Sequence, residues 1–266
     1  MIIKNNYRKP SVYLLAIAVS ALSLCISIAS IIFGQLYTER LNTITQFELL
    51  GQDIVTAIVS AIFIYIVIFK DFSRIKIKVI WLGLLMYLFY IYAYFSFGGI
   101  SSIFYLLYLV IAGISLYLFF FILGDIVKIK QLPLAKKKYP RVFISAFLIL
   151  CVFIVTSIEV VELVKKTIIN QEAINPFYVF YVLDLVIVFP FIVIASVLNY
   201  RKSSFGYLLS GIALIKVITI LPAVIFNDIF HKIYVCYFLD LTFDIIAIII
   251  SLLGIYLFIR YLKGIK

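Results

Sequence analysis

Eight blocks of apolar residues, each about as long as a bilayer is thick, fill most of the chain. They cover residues 12–34, 53–69, 79–97, 101–124, 142–164, 177–199, 205–226 and 234–259. A helix needs about 20 apolar residues to cross a hydrocarbon core about 30 Å thick. Of the 266 residues, 66% are hydrophobic and 13% are charged, whereas a soluble domain carries about 25% charged residues. The chain is therefore predicted to be a multi-pass membrane protein.

Helices are the expected form of these spans, because lipid offers no hydrogen-bond partner to an open backbone. The blocks lack the period-two alternation of a membrane β-barrel. The sequence therefore predicts an all-α transmembrane bundle of about eight spans, forming a single domain over residues 1–266.

The basic residues indicate an orientation. With the N-terminus inside, most of the 23 Lys and Arg residues fall on inner connectors. These connectors are Lys70–Lys78, Lys128–Arg141, Arg201–Lys202 and Arg260–Lys266. This bias predicts that both termini are cytoplasmic in a cell membrane. The net charge of +11 then serves topology and contact with anionic lipid at the cytoplasmic face, and no nucleic-acid partner is needed.

Several ionisable residues fall deep inside the predicted spans. Asp184 lies in the sixth block, Lys216 in the seventh, and Asp240 and Asp244 in the eighth. A charge at such depth costs a few kcal/mol, so we expect these groups to face one another. Asp240 and Asp244 are four residues apart and share a helix face, which Lys216 could approach.

Two interpretations of these buried charges stay open. They form an internal ion pair that locks the helices together, or they line a polar cavity that opens outward. The carboxylates outnumber the lysine, and Glu159 and Asp53 add to them from the outer halves of their spans. The surplus negative charge would need a proton, a metal ion or a cationic ligand.

Tyrosines form a second group of candidate residues. In "GLLMYLFYIYAYFSF", Tyr87, Tyr90 and Tyr94 recur at the spacing of one helix face. Tyrosine in a bilayer either anchors at the interface or lines an internal cavity. We expect Tyr92 and Tyr94 to be anchors, and the deeper Tyr87 and Tyr90 to line the predicted pocket.

The two halves of the chain show similar spacings. Aligning "GQDIVTAIVSAIFIYIVIFK" with "VLDLVIVFPFIVIASVLNYR" places Asp53 on Asp184. Transporter folds often contain such repeats. A repeat of residues 1–139 and 140–266 would make the two aspartates equivalent positions in four-helix halves.

Prolines, cysteines and histidine add limited information. Pro190 in the middle of the sixth block removes a backbone hydrogen bond and favours a kink beside Asp184. The chain has 3 cysteines and 1 histidine, and the cysteines lie in different spans. No disulfide, metal site or cofactor is therefore predicted.

The motifs "YTER", "GQDIVT", "WLGLLMYLFYIYAYFSFG" and "VLDLVIVFPFIV" occur in this order. In this respect the chain resembles a family of uncharacterised prokaryotic multi-pass membrane proteins, and the resemblance covers most of the chain. It implies a helical membrane protein and assigns no role to any residue.

The leading functional hypothesis is a transporter or permease for a small cation or polar solute. Its ion or proton sites would be Asp184, Asp240 and Asp244, with Lys216 as the counter-charge. The alternative is a non-transporting accessory or lipid-binding subunit, in which the charges only specify assembly. An intramembrane enzyme is the third hypothesis, since no complete catalytic motif is present. The sequence does not specify an oligomeric state.

Overall fold

The computed structural model of the protein describes residues 10–33, 43–100, 102–128, 139–171, 178–235 and 242–265. Every regular element in these ranges is helical. Eight helices are long and apolar enough to span a membrane, which confirms the predicted all-α fold and its number of spans. The helices are α1 (Pro10–Phe33), α2 (Thr43–Phe69), α3 (Ile75–Phe97), α4 (Tyr105–Val127), α5 (Arg141–Ile169), α6 (Val179–Tyr200), α7 (Ser204–Val235) and α8 (Thr242–Gly264).

Several helices extend beyond their apolar blocks, among them α2 and α5. α2 begins at Thr43, ten residues before the block does, and α5 continues through a π-helical turn at Lys165–Ile169. Continuing a helix keeps backbone groups hydrogen-bonded within the chain, which an apolar medium demands. Hydropathy locates the membrane core, whereas the helix ends depend on backbone hydrogen bonding.

α6 changes its helical form along its length. It is α-helical over Val179–Val182, π-helical over Leu183–Val188 and α-helical again over Phe189–Tyr200. Pro190 lies in the first turn of the last part, where its ring and missing N–H disturb the preceding turn. A π-helical insertion accommodates this disturbance, because it adds a residue to the turn. Asp184 lies within this altered segment.

α3 and α7 form the centre of the bundle. α7 packs against α2, α3, α6 and α8, while α3 also packs against α4. α1 contacts α2 and α4, and α5 contacts α6. A Cβ on Gly83 of α3 would lie 2.5 Å from the Cβ of Ile215 on α7. A glycine therefore allows the two central helices to approach this closely.

A network of hydrogen bonds joins helices α5 to α8 at one end of the bundle. The Tyr139 hydroxyl donates to Asn199 Oδ1 at 3.2 Å, and Asn199 Nδ2 donates to Ser145 Oγ at 2.9 Å. The Tyr207 hydroxyl donates to the Tyr261 carbonyl at 3.3 Å. These residues come from the start of α5, the end of α6, the start of α7 and the end of α8. These hydrogen bonds hold the four helices together at that end.

Candidate functional site

Lys216 lies in the centre of the bundle, about 18 Å along α7 from Ser204 at 1.5 Å per residue. Its side chain is 1% exposed. The ammonium nitrogen has no hydrogen-bond partner among the described residues. It lies 3.1 Å from the centroid of the Tyr90 ring and 6.0 Å from that of Tyr87. The electron-rich face of Tyr90 thus provides its nearest stabilisation.

Two carboxyl groups accompany this lysine. The Tyr90 hydroxyl donates to Asp184 Oδ2 at 2.8 Å, and Asp184 lies within electrostatic range of Lys216. The Glu159 carboxyl interacts directly with that of Asp184. Glu159 is 7% exposed, and its Oε2 has no hydrogen-bond partner among the described residues. We call Tyr90, Glu159, Asp184 and Lys216 the central cluster.

The central cluster has unequal charges when fully ionised. It contains two carboxylates, from α5 and α6, and one ammonium, from α7. A net charge buried in an apolar bundle costs at least a few kcal/mol. Two adjacent carboxyl groups avoid this cost most simply when they share one proton. One shared proton would therefore bring the net charge of the cluster to zero.

A second polar group surrounds the Tyr87 hydroxyl, next to the central cluster. Gln52 Nε2 donates to the Tyr87 hydroxyl at 2.8 Å, and Thr56 Oγ1 lies 3.0 Å from the same oxygen. Asp53 is 1% exposed and lies within electrostatic range of Tyr87 and Tyr92. The structure therefore places Asp53 apart from Asp184, with Tyr87 between its group and Lys216.

The expected interface role of Tyr92 does not hold. Tyr92 is fully buried, and its hydroxyl donates to Ser23 Oγ at 3.0 Å. Ser23 lies on α1, so the sequence of α3 alone could not reveal this partner of Tyr92. A row of serines on one face of α1, at spacings of three and four residues, is the sequence signal that indicates this partner: Ser20, Ser23, Ser27 and Ser30.

Asp244 lies in a different place from the one predicted. Lys232 Nζ donates to Asp244 Oδ2 at 2.8 Å and also pairs with Asp228. Lys232 is sixteen residues beyond Lys216, which corresponds to about 24 Å along the helix. The predicted approach of Lys216 to Asp244 is therefore wrong. The predicted partner Asp240 lies outside the described residues.

Hydropathy alone places Lys232 in a connector, because the seventh apolar block ends at residue 226. α7 in fact continues to Val235, past the end of its apolar block, so Lys232 still lies on the helix that faces α8. The i, i+4 spacing of Asp228 and Lys232 is the signal that predicts an ion pair there. Asp244 thereby joins α8 to α7 at the end of the bundle.

A small cavity lies at the end of the bundle opposite to Asp184, where α3 and α7 begin. It leaves room for no more than about one water molecule, so it is not a binding site for a solute. The residues around it are Ile75, Val79, Ser204, Tyr207, Leu208, Tyr261 and Ile265.

Of the predicted site residues, the structure brings together Glu159, Asp184, Lys216 and Tyr90, with Tyr87 adjacent. Asp53 and Asp244 lie in separate polar groups. Comparisons of the chain with protein-family models, with curated proteins and with solved structures find no match. Its function is therefore inferred from the geometry of the central cluster.

Proposed function

We propose that this protein is a proton-coupled membrane transporter for a small cation or polar solute, with the central cluster as its coupling site. Glu159 and Asp184 would bind the transported proton, and Lys216 would balance their charge. The protein would lie in the cell membrane, with both termini in the cytoplasm.

One observation carries this proposal: buried ionisable groups that are incompletely hydrogen-bonded meet where four helices converge. Lys216 Nζ and Glu159 Oε2 have no hydrogen-bond partner among the described residues. A purely structural ion pair is expected to satisfy its donors and acceptors, because orphaned ones oppose folding. Intramembrane ionisable residues commonly mark ion and proton pathways.

The backbone near the cluster also supports a transport role. Asp184 lies in the π-helical segment of α6, just before Pro190. Interrupted helices surround the binding sites of many secondary transporters, and π-helical turns occur frequently at functional sites. Such a segment can change its hydrogen bonding more easily than a regular helix.

The alternative is a non-transporting accessory or lipid-binding subunit. The tight contact of Gly83 with Ile215 beside the cluster favours it, because a rigid core suits a purely structural role. In that case Lys216 and the carboxyl groups would only specify how the helices assemble.

Reconstitution into liposomes separates the two proposals. We would load the purified protein into liposomes with a pH indicator inside, and apply concentration jumps of inorganic cations, organic cations and neutral polar solutes. Transport predicts that at least one solute changes the internal pH. Asp184→Asn should abolish this response. Asp71→Asn should retain it, because Asp71 lies outside the cluster and is 58% exposed.

Two results would contradict a transport role for the central cluster. One is the absence of any response across the panel in liposomes that contain correctly folded protein. The other is a response that Asp184→Asn leaves unchanged. The first result favours the accessory subunit, and the second moves the coupling site elsewhere.

A further inference from the structure

We propose that the central cluster exchanges one small monovalent metal cation for one proton, so that each cycle moves no net charge. This inference rests on the proposed function and specifies its substrate class and stoichiometry. It depends on the charge balance of Glu159, Asp184 and Lys216 and on the close packing around them.

Charge balance sets the number of ions that the cluster holds. Two carboxylates and one ammonium carry a net charge of minus one when fully ionised. One bound proton or one bound monovalent cation brings the total to zero. Both together would give a net positive charge inside an apolar bundle, which is costly. The proton and the cation therefore compete, which is the requirement for exchange.

The packing limits the size of the cation. The ammonium of Lys216 lies 3.1 Å from the centroid of the Tyr90 ring, and the Tyr90 hydroxyl donates to Asp184. Tyr90 thus fills the space between the lysine and the aspartate. An organic cation or a zwitterion would have to displace this side chain, whereas a bare metal ion needs only oxygen atoms that are already present.

The available donor atoms suit a hard cation. Glu159 is buried, with 7% of its surface exposed, and its Oε2 atom has no hydrogen-bond partner among the described residues. Asp184 contributes a second carboxylate that is directly adjacent. Carboxylate oxygens are preferred ligands of alkali and alkaline-earth ions. A divalent ion would leave the cluster positively charged, so a monovalent ion fits better.

The proton has a limited set of alternative sites. The titratable groups in or next to the cluster are Tyr87, Tyr90 and Tyr94 on α3, Glu159 and Glu162 on α5, Tyr181 and Asp184 on α6, and Lys216 on α7, with Asp53 on α2 beyond Tyr87. Glu162 pairs with Lys166 and is 45% exposed, so Lys166 offsets its charge, and Asp53 belongs to the separate polar group around Tyr87. The two remaining carboxyl groups, Glu159 and Asp184, are the proton acceptors.

The test uses the full-length protein in liposomes with an acidic interior and a pH indicator. External NaCl or LiCl should make the interior more alkaline as protons leave. Clamping the membrane potential at zero with valinomycin and equal K⁺ on both sides should leave the rate unchanged. Glu159→Gln should abolish the exchange. Glu162→Gln, one helical turn away and 45% exposed, should retain it.

Two outcomes would overturn this inference while leaving the proposed function intact. They are an exchange whose rate depends on the membrane potential, and a response to neutral or organic solutes without a response to Na⁺ or Li⁺. Unchanged exchange in Glu159→Gln would contradict the inference and also the role of Glu159 in the proposed function. The absence of a response to every solute would contradict the inference and the proposed function together.

A second measurement on the unmodified protein covers the case in which Glu159→Gln fails to fold. Calorimetric titration with NaCl in two buffers of different ionisation enthalpy gives the number of protons released per cation bound. The inference requires about one proton, from the charge balance above. Binding without proton release, or no binding of Na⁺ or Li⁺, would refute it.

Discussion

Tyr90 joins the two kinds of charge in the central cluster through different parts of its side chain. Its ring lies against the ammonium of Lys216, and its hydroxyl donates to the carboxylate of Asp184. A phenylalanine would keep the first contact and lose the second. Substitution at this residue can therefore separate the cation–π contact from the hydrogen bond.

We expect Tyr90→Phe to destabilise the protein by about 1.5–3 kcal/mol, the usual contribution of a hydrogen bond to a charged group. The free energy of unfolding in mixed detergent and SDS micelles measures the change. Tyr117→Phe is the matched control, because Tyr117 is 77% exposed on α4, and it should have little effect. Equal stability of Tyr90→Phe and the wild type would show that the hydroxyl contributes nothing to Asp184.

Lys216→Met should destabilise the protein by about 3–5 kcal/mol, the range for removing one charge from a buried ionic group. Methionine has a similar length, so the loss reports mainly on charge. Adding Asp184→Asn should recover part of this stability, because it removes the charge that lost its partner. The same micelle titration, applied as a double-mutant cycle, gives the coupling energy. Additive effects would show that the two groups do not interact.

At the scale of helices, the contact between α3 and α7 positions the cluster. Gly83 lies about one helical turn before Tyr87, and its hydrogen faces the Ile215 side chain, next to Lys216 in sequence. A larger residue at this position would push α7 away from the tyrosines. The distance between Lys216 and Tyr90 therefore depends on a glycine two turns away.

Gly83→Ala should destabilise the bundle by about 1–3 kcal/mol, as expected for overpacking a tight core. The added Cβ would lie 2.5–2.7 Å from three atoms of Ile215. Gly113→Ala on α4 is the control, because its Cβ would meet nothing within 4 Å, and alanine favours a helix. Ile215→Ala in the Gly83→Ala background should restore only part of the stability, because it removes Cδ1 and Cγ2 of Ile215 but keeps the Cβ that lies 2.5 Å away. A stable single variant would contradict the close approach of α3 and α7.

At the scale of the whole molecule, hydropathy was sufficient to predict eight helical spans, because each apolar block has the length that a bilayer requires. The pairing of Asp184 with Tyr90 and Lys216 was only partly predictable. Depth indicated that Asp184 and Lys216 should meet, but the partner of Asp244 depends on how far α7 extends as a helix. The apolar composition of a span does not give the length of its helix, because a helix can continue past the membrane core.

The repeat of residues 1–139 and 140–266 stays a prediction. The most buried span of the bundle is α3, and α7 follows it; these are the third helices of the two predicted halves. If the repeat is real, their contact would place the central cluster at the junction of the two halves. If α5–α8 move against α1–α4 during transport, the hydrogen bond between Tyr90 on α3 and Asp184 on α6 would join the two moving parts.

The distribution of basic residues predicts an orientation for the whole bundle, and this orientation can be measured directly. A variant without its natural cysteines, which are Cys25, Cys151 and Cys236, would carry one new cysteine in a connector. We expect Asn170→Cys, between α5 and α6, to react with a membrane-impermeant maleimide on intact cells. Ser203→Cys, between α6 and α7, should react only after permeabilisation, because Arg201 and Lys202 are expected to keep that connector in the cytoplasm. The opposite labelling pattern would show that the bundle is inverted, with the Asp184 end of α6 on the cytoplasmic side. A transported cation would then reach the central cluster first from within the cell.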